Sequence, residues 1–271
     1  MIGCRRSLSS RDSPGREIRT PTDAAYLRDL FNNSARYYES VNKVTSLGQV
    51  VLWRKEMIGA ACLRPTDQVL DAFCGPGGLA EQALPLLGSG GRLVLADLSP
   101  VMLRQARLRL ARCVASRTEP RPQIEYVAGD LLRGDLGLRD FDVVLLGWGL
   151  RYVEDVGAAL VRVRSLLRPN GRLVILEFTR PSPRSWATPA HYYFRRILPM
   201  VGSWLARDRE LHEYLSVSAA EFLSATEVQR TVQEAGFGII SCRSHLDGLV
   251  TVLAATATNH LSALPQSPTA A

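Results

Sequence analysis

The stretch VLDAFCGPGGLAEQ, residues 69–82, decides the fold. It starts as a short apolar run, passes through the turn Cys74-Gly75-Pro76-Gly77-Gly78 and continues into a helical pattern. Glycines let the backbone of such a turn approach a ligand closely, and the helix that follows presents unpaired N–H groups. A strand, a glycine-rich turn and a helix in this order are typical of the first unit of a Rossmann-like α/β domain.

The same alternation continues along the chain. Short apolar runs predict strands at residues 68–74, 92–97, 123–127, 140–147 and 172–178. Helices are predicted between and after them, at residues 78–87, 99–112, 155–168 and 226–235. Two last strands, at residues 238–243 and 248–254, are joined by a link too short for a parallel crossover, so they should pair antiparallel. We therefore predict a mostly parallel seven-stranded α/β sheet, covered by helices, with an antiparallel hairpin at its edge.

One domain, residues 22–258, should contain this sheet. Residues 22–63 are predicted to form an N-terminal helical cap, with Thr22 or Asp23 capping its first helix. Residues 180–225 lack a strand pattern and are predicted to be an insertion over the carboxyl edge of the sheet. Residues 1–21 and 259–271 have low complexity and are predicted to be disordered tails, with an organelle transit peptide as the alternative for the first.

The turn after the first strand predicts a nucleotide-like ligand. Gly75–Ala80 fits the G-x-G-x-x-G/A pattern of dinucleotide binders, and Asp97 suits a ribose in either case. Asp71 separates the alternatives, because its carboxylate would repel a pyrophosphate but attract the cationic amino-acid end of S-adenosylmethionine. The chain also lacks a Tyr-x-x-x-Lys dyad. S-adenosylmethionine is thus the favoured cofactor, and a nicotinamide dinucleotide is the alternative.

Further cofactor contacts are expected at the ends of the following strands. Asp97 can bind both ribose hydroxyls, Met102 can cover one face of the adenine, and Asp130 with Leu131 can meet the adenine edge. An aspartate after a strand is often only a helix cap, and a helical methionine is often only core packing. The predicted cofactor site consists of Asp71, Gly75, Pro76, Gly77, Asp97, Met102, Asp130, Leu131 and Gly147.

Charge and cysteine patterns narrow the partners. The net charge is +7, but it comes almost entirely from arginines spread along the chain, so no nucleic-acid surface is predicted. The segment Gly147–Arg151 also lacks the Asn/Asp-Pro-Pro-aromatic signature of nucleobase methyltransferases. The five cysteines have no metal-ligand spacing, so no metal is expected. Without an apolar stretch of about 20 residues or a secretory signal, we expect a cytoplasmic protein; a homodimer is compatible with the sequence.

Several longer segments resemble the ubiquinone and menaquinone biosynthesis C-methyltransferase family, over residues 23–253. The most specific are FNNSARYYESVN (31–42) and SLGQVVLWRK (46–55). WGLRYVEDVGAAL (148–160) and GRLVILEFTRP (171–181) are also similar to that family. The resemblance implies a class I methyltransferase fold that transfers a methyl group from S-adenosylmethionine to a ring carbon of a polyprenylated hydroquinone.

The resemblance also implies roles for individual residues. Arg151 and Tyr38 become candidate catalytic residues, and Asn42, Tyr152 and Trp148 candidate substrate-binding residues. Arg151 stays protonated and would stabilise the developing phenolate, directly or through a water. The alternative for Arg151 is a structural ion pair with a neighbouring carboxylate, from Glu154 or Asp155. An apolar substrate tail would enter the cap, with weak peripheral membrane contact.

Four departures from the family pattern leave the head group open. Family members usually have Asp at Glu39, Asn at Tyr152, Thr at Pro76 and Thr-Gly-Gly at Leu246-Asp247-Gly248. Tyr152 and Leu246 are expected near the ring pocket. Another small aromatic compound or a polyketide is therefore the alternative substrate, and a non-catalytic protein that binds S-adenosylmethionine is a second alternative.

Overall fold

The computed structural model describes residues 22–115, 121–134, 136–181 and 209–258. The helices are α1 (Ala24–Ser34), α2 (Tyr38–Thr45), α3 (Gln49–Ala61), α4 (Gly78–Ala83), α5 (Pro100–Ala115), α6 (Val156–Leu166), α7 (Arg209–Glu221) and α8 (Ala225–Glu234). The strands are β1 (Gln68–Ala72), β2 (Arg92–Asp97), β3 (Gln123–Ala128), β4 (Phe141–Gly147), β5 (Leu167–Phe178), β6 (Phe237–His245) and β7 (Val250–Ala257). Short 3₁₀ turns lie at Leu84–Leu86, Leu150–Tyr152 and Leu246–Gly248.

The strands form one sheet in the order β3-β2-β1-β4-β5-β7-β6. β1 to β5 are parallel, whereas β7 is antiparallel to both β5 and β6. The strand order reverses between β1 and β4, and open α/β sheets bind ligands at the carboxyl ends of the strands beside such a reversal. The predicted Rossmann-like sheet of seven strands with an antiparallel pair is confirmed.

The antiparallel pair differs from the prediction in one respect, because β7 lies between β5 and β6 and only β6 is at the edge. Seven of the eight β7 residues are buried, which suits a strand with neighbours on both sides. β6 exposes several polar residues, including Ser241 and Arg243, as an edge strand should.

Two predicted elements, the first strand and the helix after it, end earlier in the structure than predicted, each for a local reason. β1 ends at Ala72, because Phe73 already has a left-handed φ of 57° and begins the turn. α4 ends at Ala83, where Pro85 has no N–H to continue the helix and a 3₁₀ turn follows.

Alternate residues of the strands supply two separate cores, one on each face of the sheet. Val69 belongs to a cluster with α3, α4 and α5, whereas its neighbour Leu70 belongs to a cluster with α6 and α8. Leu103, Ala106 and Leu110, which form one stripe of α5, are buried in the first cluster.

The predicted N-terminal helical segment forms α1, α2 and α3. Asp23 caps α1, since its side chain accepts a hydrogen bond from the Tyr26 N–H at 2.9 Å. α7 packs on α1 through a third cluster of Leu27, Leu30, Leu211 and Tyr214. Most of the predicted insertion at 180–225, and both predicted tails, lie outside the described residues. Within the described ranges, no helix has the length and apolar content that crossing a bilayer requires.

Candidate active site

A cavity of about 310 Å³ opens at the carboxyl ends of β1 to β4. The sheet contributes the residues that follow each strand, and the N-terminal helices α1, α2 and α3 close the opposite side. The walls include Phe31, Tyr38, Arg54, Phe73, Gly75, Pro76, Asp97, Met102, Asp130, Leu131, Gly147, Trp148 and Tyr152. The cavity therefore lies where the strand order predicts a ligand.

The glycine-rich turn packs tightly against two neighbouring elements. Gly77 has a φ of 78°, a left-handed conformation that side chains rarely adopt, and a Cβ there would lie 3.0 Å from the Ala106 Cβ. A Cβ at Gly78 would lie 2.3 Å from the Arg54 Nη1. The turn can thus approach α5 and Arg54 only because these two positions carry no side chain.

Asp71 lies behind this turn, and its side chain is fully buried. Its Oδ2 accepts a hydrogen bond from the Ala80 N–H at 3.1 Å, which ties the start of α4 to β1. Its Oδ1 is buried without a hydrogen-bond partner among the described residues. Burial raises the pKa of Asp71 to about 7, although the Ala80 hydrogen bond and Arg54 oppose that rise. Asp71 therefore stands behind the cavity wall and is not part of it.

Asp97 ends β2 and faces the cavity. Its Oδ2 accepts from the Gly75 N–H and its Oδ1 from the Ser99 N–H, both at 2.8 Å. Burial raises its pKa to about 6, opposed by these two hydrogen bonds. Each carboxylate oxygen has a second lone pair, so Asp97 can still accept from two hydroxyl groups of a ligand. Asp130 is held in a similar way by the Leu132 N–H at 3.0 Å.

Arg151 is buried beside the cavity rather than on its wall. Its Nη1 binds the Glu177 Oε1, and its Nη2 donates to the Tyr152 hydroxyl. Glu177 also accepts from the Leu150 N–H at 3.0 Å and the Phe178 N–H at 2.9 Å. Burial raises the pKa of Glu177, and Arg151 opposes that rise. The buried partner of Arg151 is thus Glu177. The alternative predicted from the sequence, an ion pair with Glu154 or Asp155, names the wrong carboxylate.

Arg151 interacts with two tyrosines that line the cavity. Tyr152 accepts from Arg151, and the guanidinium also lies 4.5 Å from the centre of its ring. Tyr38 lines the same wall and is hydrogen-bonded by the Asn42 side chain. Burial raises the pKa of Tyr38, with Arg151 lowering it. Both hydroxyls are therefore neutral donors near pH 7.

A second buried arginine, Arg54 of α3, lines the cavity beside the glycine-rich turn. Its guanidinium forms a fork with Glu39, with N–O distances of 2.5 and 3.1 Å, and stacks over the Trp148 ring at 5.4 Å. Burial raises the pKa of Glu39, but the Arg54 hydrogen bonds outweigh it and hold that pKa below the usual value. The Arg109 guanidinium lies 3.5 Å from Glu39 on the other side.

Most of the predicted site residues meet at this cavity. The exceptions are Asp71, Gly77, Asn42 and Arg151, which stand directly behind wall residues, and Leu246, which packs against a core cluster instead. Sequence reasoning missed the site contributions of Arg54 and Glu177. The sequence does contain a sign of each contribution. Arg54 occupies a position of the buried stripe of α3, and Glu177 interrupts the apolar strand β5. A charge at such positions needs a buried partner.

Solved structures similar to this chain share its fold. A putative methyltransferase of Bacillus halodurans C-125 aligns with a TM-score of 0.54 at 15% identity, covering 76% of this chain and 98% of that one. A SAM-dependent methyltransferase of Aquifex aeolicus aligns at 0.55 and 12%, covering 81% and 98%. The [4+2]-cyclase SpnF aligns at 0.59 and 11%, covering 86% and 95%.

Sequence relatives are much closer. A demethylmenaquinone methyltransferase of Mycolicibacterium vanbaalenii is 33% identical over 234 residues, which are 86% of this chain and 96% of that protein. A ubiquinone/menaquinone biosynthesis C-methyltransferase, UbiE, of Shewanella frigidimarina is 29% identical over 228 residues, 84% and 88% of the two chains. A model of one family matches residues 19–257, almost the whole described fold. The chain belongs to the ubiE/COQ5 methyltransferase family.

Proposed function

We propose that this enzyme transfers the methyl group of S-adenosylmethionine to a ring carbon of a prenylated hydroquinone in ubiquinone or menaquinone biosynthesis. The names of its relatives support this reaction class. The observation that carries the proposal is a buried guanidinium, Arg151, bound to a tyrosine hydroxyl on the cavity wall. Such a pair provides a fixed hydrogen-bond donor, the Tyr152 hydroxyl polarised by Arg151, where a phenolate would develop.

The cavity residues fit the cofactor. When bound, S-adenosylmethionine supplies an electrophilic methyl group on a cationic sulfonium. Asp97 would accept from the ribose hydroxyls, and Met102 and Leu131 would enclose the adenine. The buried Oδ1 of Asp71 has no partner among the described residues, and its negative charge favours a cationic ligand over a pyrophosphate.

Arg151 would act through Tyr152. A ring carbon is nucleophilic only when the neighbouring hydroxyl is at least partly ionised. Because the Tyr152 oxygen accepts from Arg151, its own proton is free to be donated to the substrate oxygen. Arg151 and Glu177 are thus positioning residues, and Tyr152 and Tyr38 are the groups that would contact the substrate. The phenol proton would leave to water, and the methyl–sulfur bond would break as the methyl–carbon bond forms. The ring carbon would then lose its own hydrogen as a proton to water while the phenolic oxygen regains one, so that one proton is released per methyl group transferred.

A polyprenylated substrate resides in a bilayer, so the enzyme should reach a membrane surface. The described part of the cap exposes an apolar patch, defined here as Val44, Leu47, Val51 and Leu52. Leu47 is 75% exposed. Its φ of 51° is a left-handed conformation that is unfavourable for leucine, and nothing in water compensates for it. The two lysines of the chain, Lys43 and Lys55, are exposed beside the patch in sequence and suit anionic headgroups. Peripheral contact through this patch is part of the proposal.

The proposal can be tested in a bacterium that lacks its quinone C-methyltransferase. Expression of this protein should restore methylated quinone in the extracted lipids, as measured by mass spectrometry. An Asp97→Ala variant, which loses the ribose acceptor, is the inactive control. Persistence of only demethylated quinone, at normal protein levels, would contradict the assigned substrate.

A further inference from the structure

Arg54 is a buried cation on the cavity wall whose hydrogen-bonding capacity is only partly used. Its Nη1 and Nη2 bind the two oxygens of Glu39. Its Nε–H is buried and has no partner among the residues that the structure describes. A buried donor of a charged group that stays unmatched is costly, so an acceptor in the cavity would stabilise this arrangement.

Trp148 provides a second unmatched donor at the same wall. Its Nε1–H is buried and likewise has no partner within the described part of the chain. The indole lies under the Arg54 guanidinium, and the residue has a φ of 57°, a conformation that costs a non-glycine residue about 1–3 kcal/mol. Such strain at a cavity wall is typical of a residue that is fixed to meet a ligand.

Arg54 also lies against the glycine-rich turn that follows β1. Its Nη1 lies so close to Gly78 that a side chain there could not fit. Asp71, whose unmatched Oδ1 lies behind the same turn, interacts electrostatically with Arg54. Arg54 and Trp148 thus line one end of the cavity, and each carries a buried donor without a partner among the described residues. The unmatched acceptor of Asp71 lies behind the same end.

This combination matches a zwitterionic amino acid. A carboxylate would accept from the Arg54 Nε–H and the Trp148 Nε1–H, and an ammonium would be attracted to Asp71. A hydroquinone oxygen can also accept a hydrogen bond, but the proposed function places that oxygen at Tyr152, and a carboxylate offers two acceptor oxygens and a charge that complements Arg54. We infer that Arg54 and Trp148 bind the α-carboxylate of the methionine part of S-adenosylmethionine, with Glu39 positioning Arg54. The inference rests on the proposed function and extends it to two residues.

The test compares two ligands that differ only in this carboxylate. Binding of S-adenosylmethionine and of decarboxylated S-adenosylmethionine is measured by calorimetry, without any methyl acceptor. The wild-type protein should prefer the carboxylated ligand by on the order of 100-fold, the usual cost of truncating one partner of a buried charge pair. Arg54→Met should lose most of that preference while it still binds the decarboxylated ligand. Trp148→Phe should reduce that preference by roughly tenfold, the value of one hydrogen bond to a charged acceptor.

Arg109→Met is the matched control, because Arg109 contacts the same Glu39 but is not part of the cavity wall. It should keep the full preference. If Arg54→Met fails to fold because Glu39 is left unpaired, the double variant Arg54→Met with Glu39→Gln replaces it. Equal weakening of both ligands in the Arg54 variant would overturn the inference but leave the proposed function intact. Failure of the wild type to bind S-adenosylmethionine would overturn both.

Discussion

Arg151 and Glu177 have to be considered as a pair, because each neutralises the other in a buried setting. Their side chains are 3% and 1% exposed. Removing the arginine alone would leave a buried carboxylate without its charge partner, which typically costs about 3–5 kcal/mol of stability. A simple Arg151→Ala variant would therefore confuse loss of folding with loss of chemistry.

The role of the Arg151–Tyr152 pair is tested with two milder changes. Tyr152→Phe keeps the ring packing and removes the hydroxyl, and Arg151→Gln combined with Glu177→Gln removes both charges together. We expect each to lower kcat on the order of 100-fold, because a preorganised donor to a developing oxyanion contributes that much. The affinity for S-adenosylhomocysteine, measured by calorimetry, should stay near the wild-type value.

The pH profile separates this role from a purely structural one. If the pair favours the substrate phenolate, kcat of both variants should rise with pH well beyond the point where the wild type levels off. A uniform loss at every pH, or a parallel loss of cofactor affinity, would speak against the assignment.

Asp71 makes the stability of the ligand-free protein depend on pH. Burial raises its folded pKa to about 7, well above the value of about 3.9 in an unfolded chain. The protonated carboxyl is therefore favoured on folding, and its stabilising contribution is present below about pH 4 and lost as the pH rises through about 7. We expect the free energy of unfolding of the wild type, relative to Asp71→Asn, to fall between these two pH values. Denaturant unfolding at several pH values measures it, and parallel curves would refute the raised pKa.

At this scale, the sequence could predict residues whose role follows from their place after a strand. Asp97 and Gly147 end their strands and Asp130 follows β3, and all three therefore line the cavity. The contributions of Arg54 and Glu177 could not be predicted as readily. They depend on partners 15 and 26 residues away, which only the packed structure brings together.

The turn between α2 and α3 carries the proposed membrane contact. Replacing Leu47 with Glu would remove apolar burial worth about 1.5–3 kcal/mol and add repulsion from anionic lipid. We expect roughly tenfold or greater loss of binding to vesicles that contain phosphatidylglycerol, measured by flotation. Activity on a short-chain, water-soluble acceptor should be unchanged.

Leu108→Glu is the matched control for Leu47→Glu. Leu108 is 58% exposed on α5, outside the apolar patch, so its variant should bind vesicles like the wild type. Equal binding by all three proteins, or no binding by the wild type, would count against the patch.

Helices and strands were predicted best where the apolar pattern alone determines them. The buried stripe of α5 and the parallel strands follow from periodicity and from alternation with helices. The position of β7 between β5 and β6 was not predicted, although the nearly continuous apolar run of β7 and the polar residues of β6 do indicate which strand is buried on both faces. The early ends of β1 and α4 depend on single residues, Phe73 and Pro85.

At the scale of the whole molecule, one cavity would bind both the cofactor and the methyl acceptor of the proposed reaction. In the proposed function, the carboxyl edge of the sheet and Arg54 of α3 would supply the cofactor side, and α1, α2 and the Leu150–Tyr152 turn would supply the acceptor side. α1 is joined to the cofactor side by the Asn32–Ser99 hydrogen bond at 2.6 Å, and to α7 by the cluster around Tyr214. In the proposed function, the reaction would take place between the sheet and a helical cap that is bound to it by these contacts.

The most direct test of the proposed reaction is a mass-spectrometric assay with purified protein, methyl-deuterated S-adenosylmethionine and chemically reduced demethylmenaquinol. We predict a product that carries one deuterated methyl group on a ring carbon, together with one equivalent of S-adenosylhomocysteine. A deuterated methyl group on oxygen, or no turnover by a protein that binds the cofactor, would contradict the proposed C-methylation of a prenylated hydroquinone.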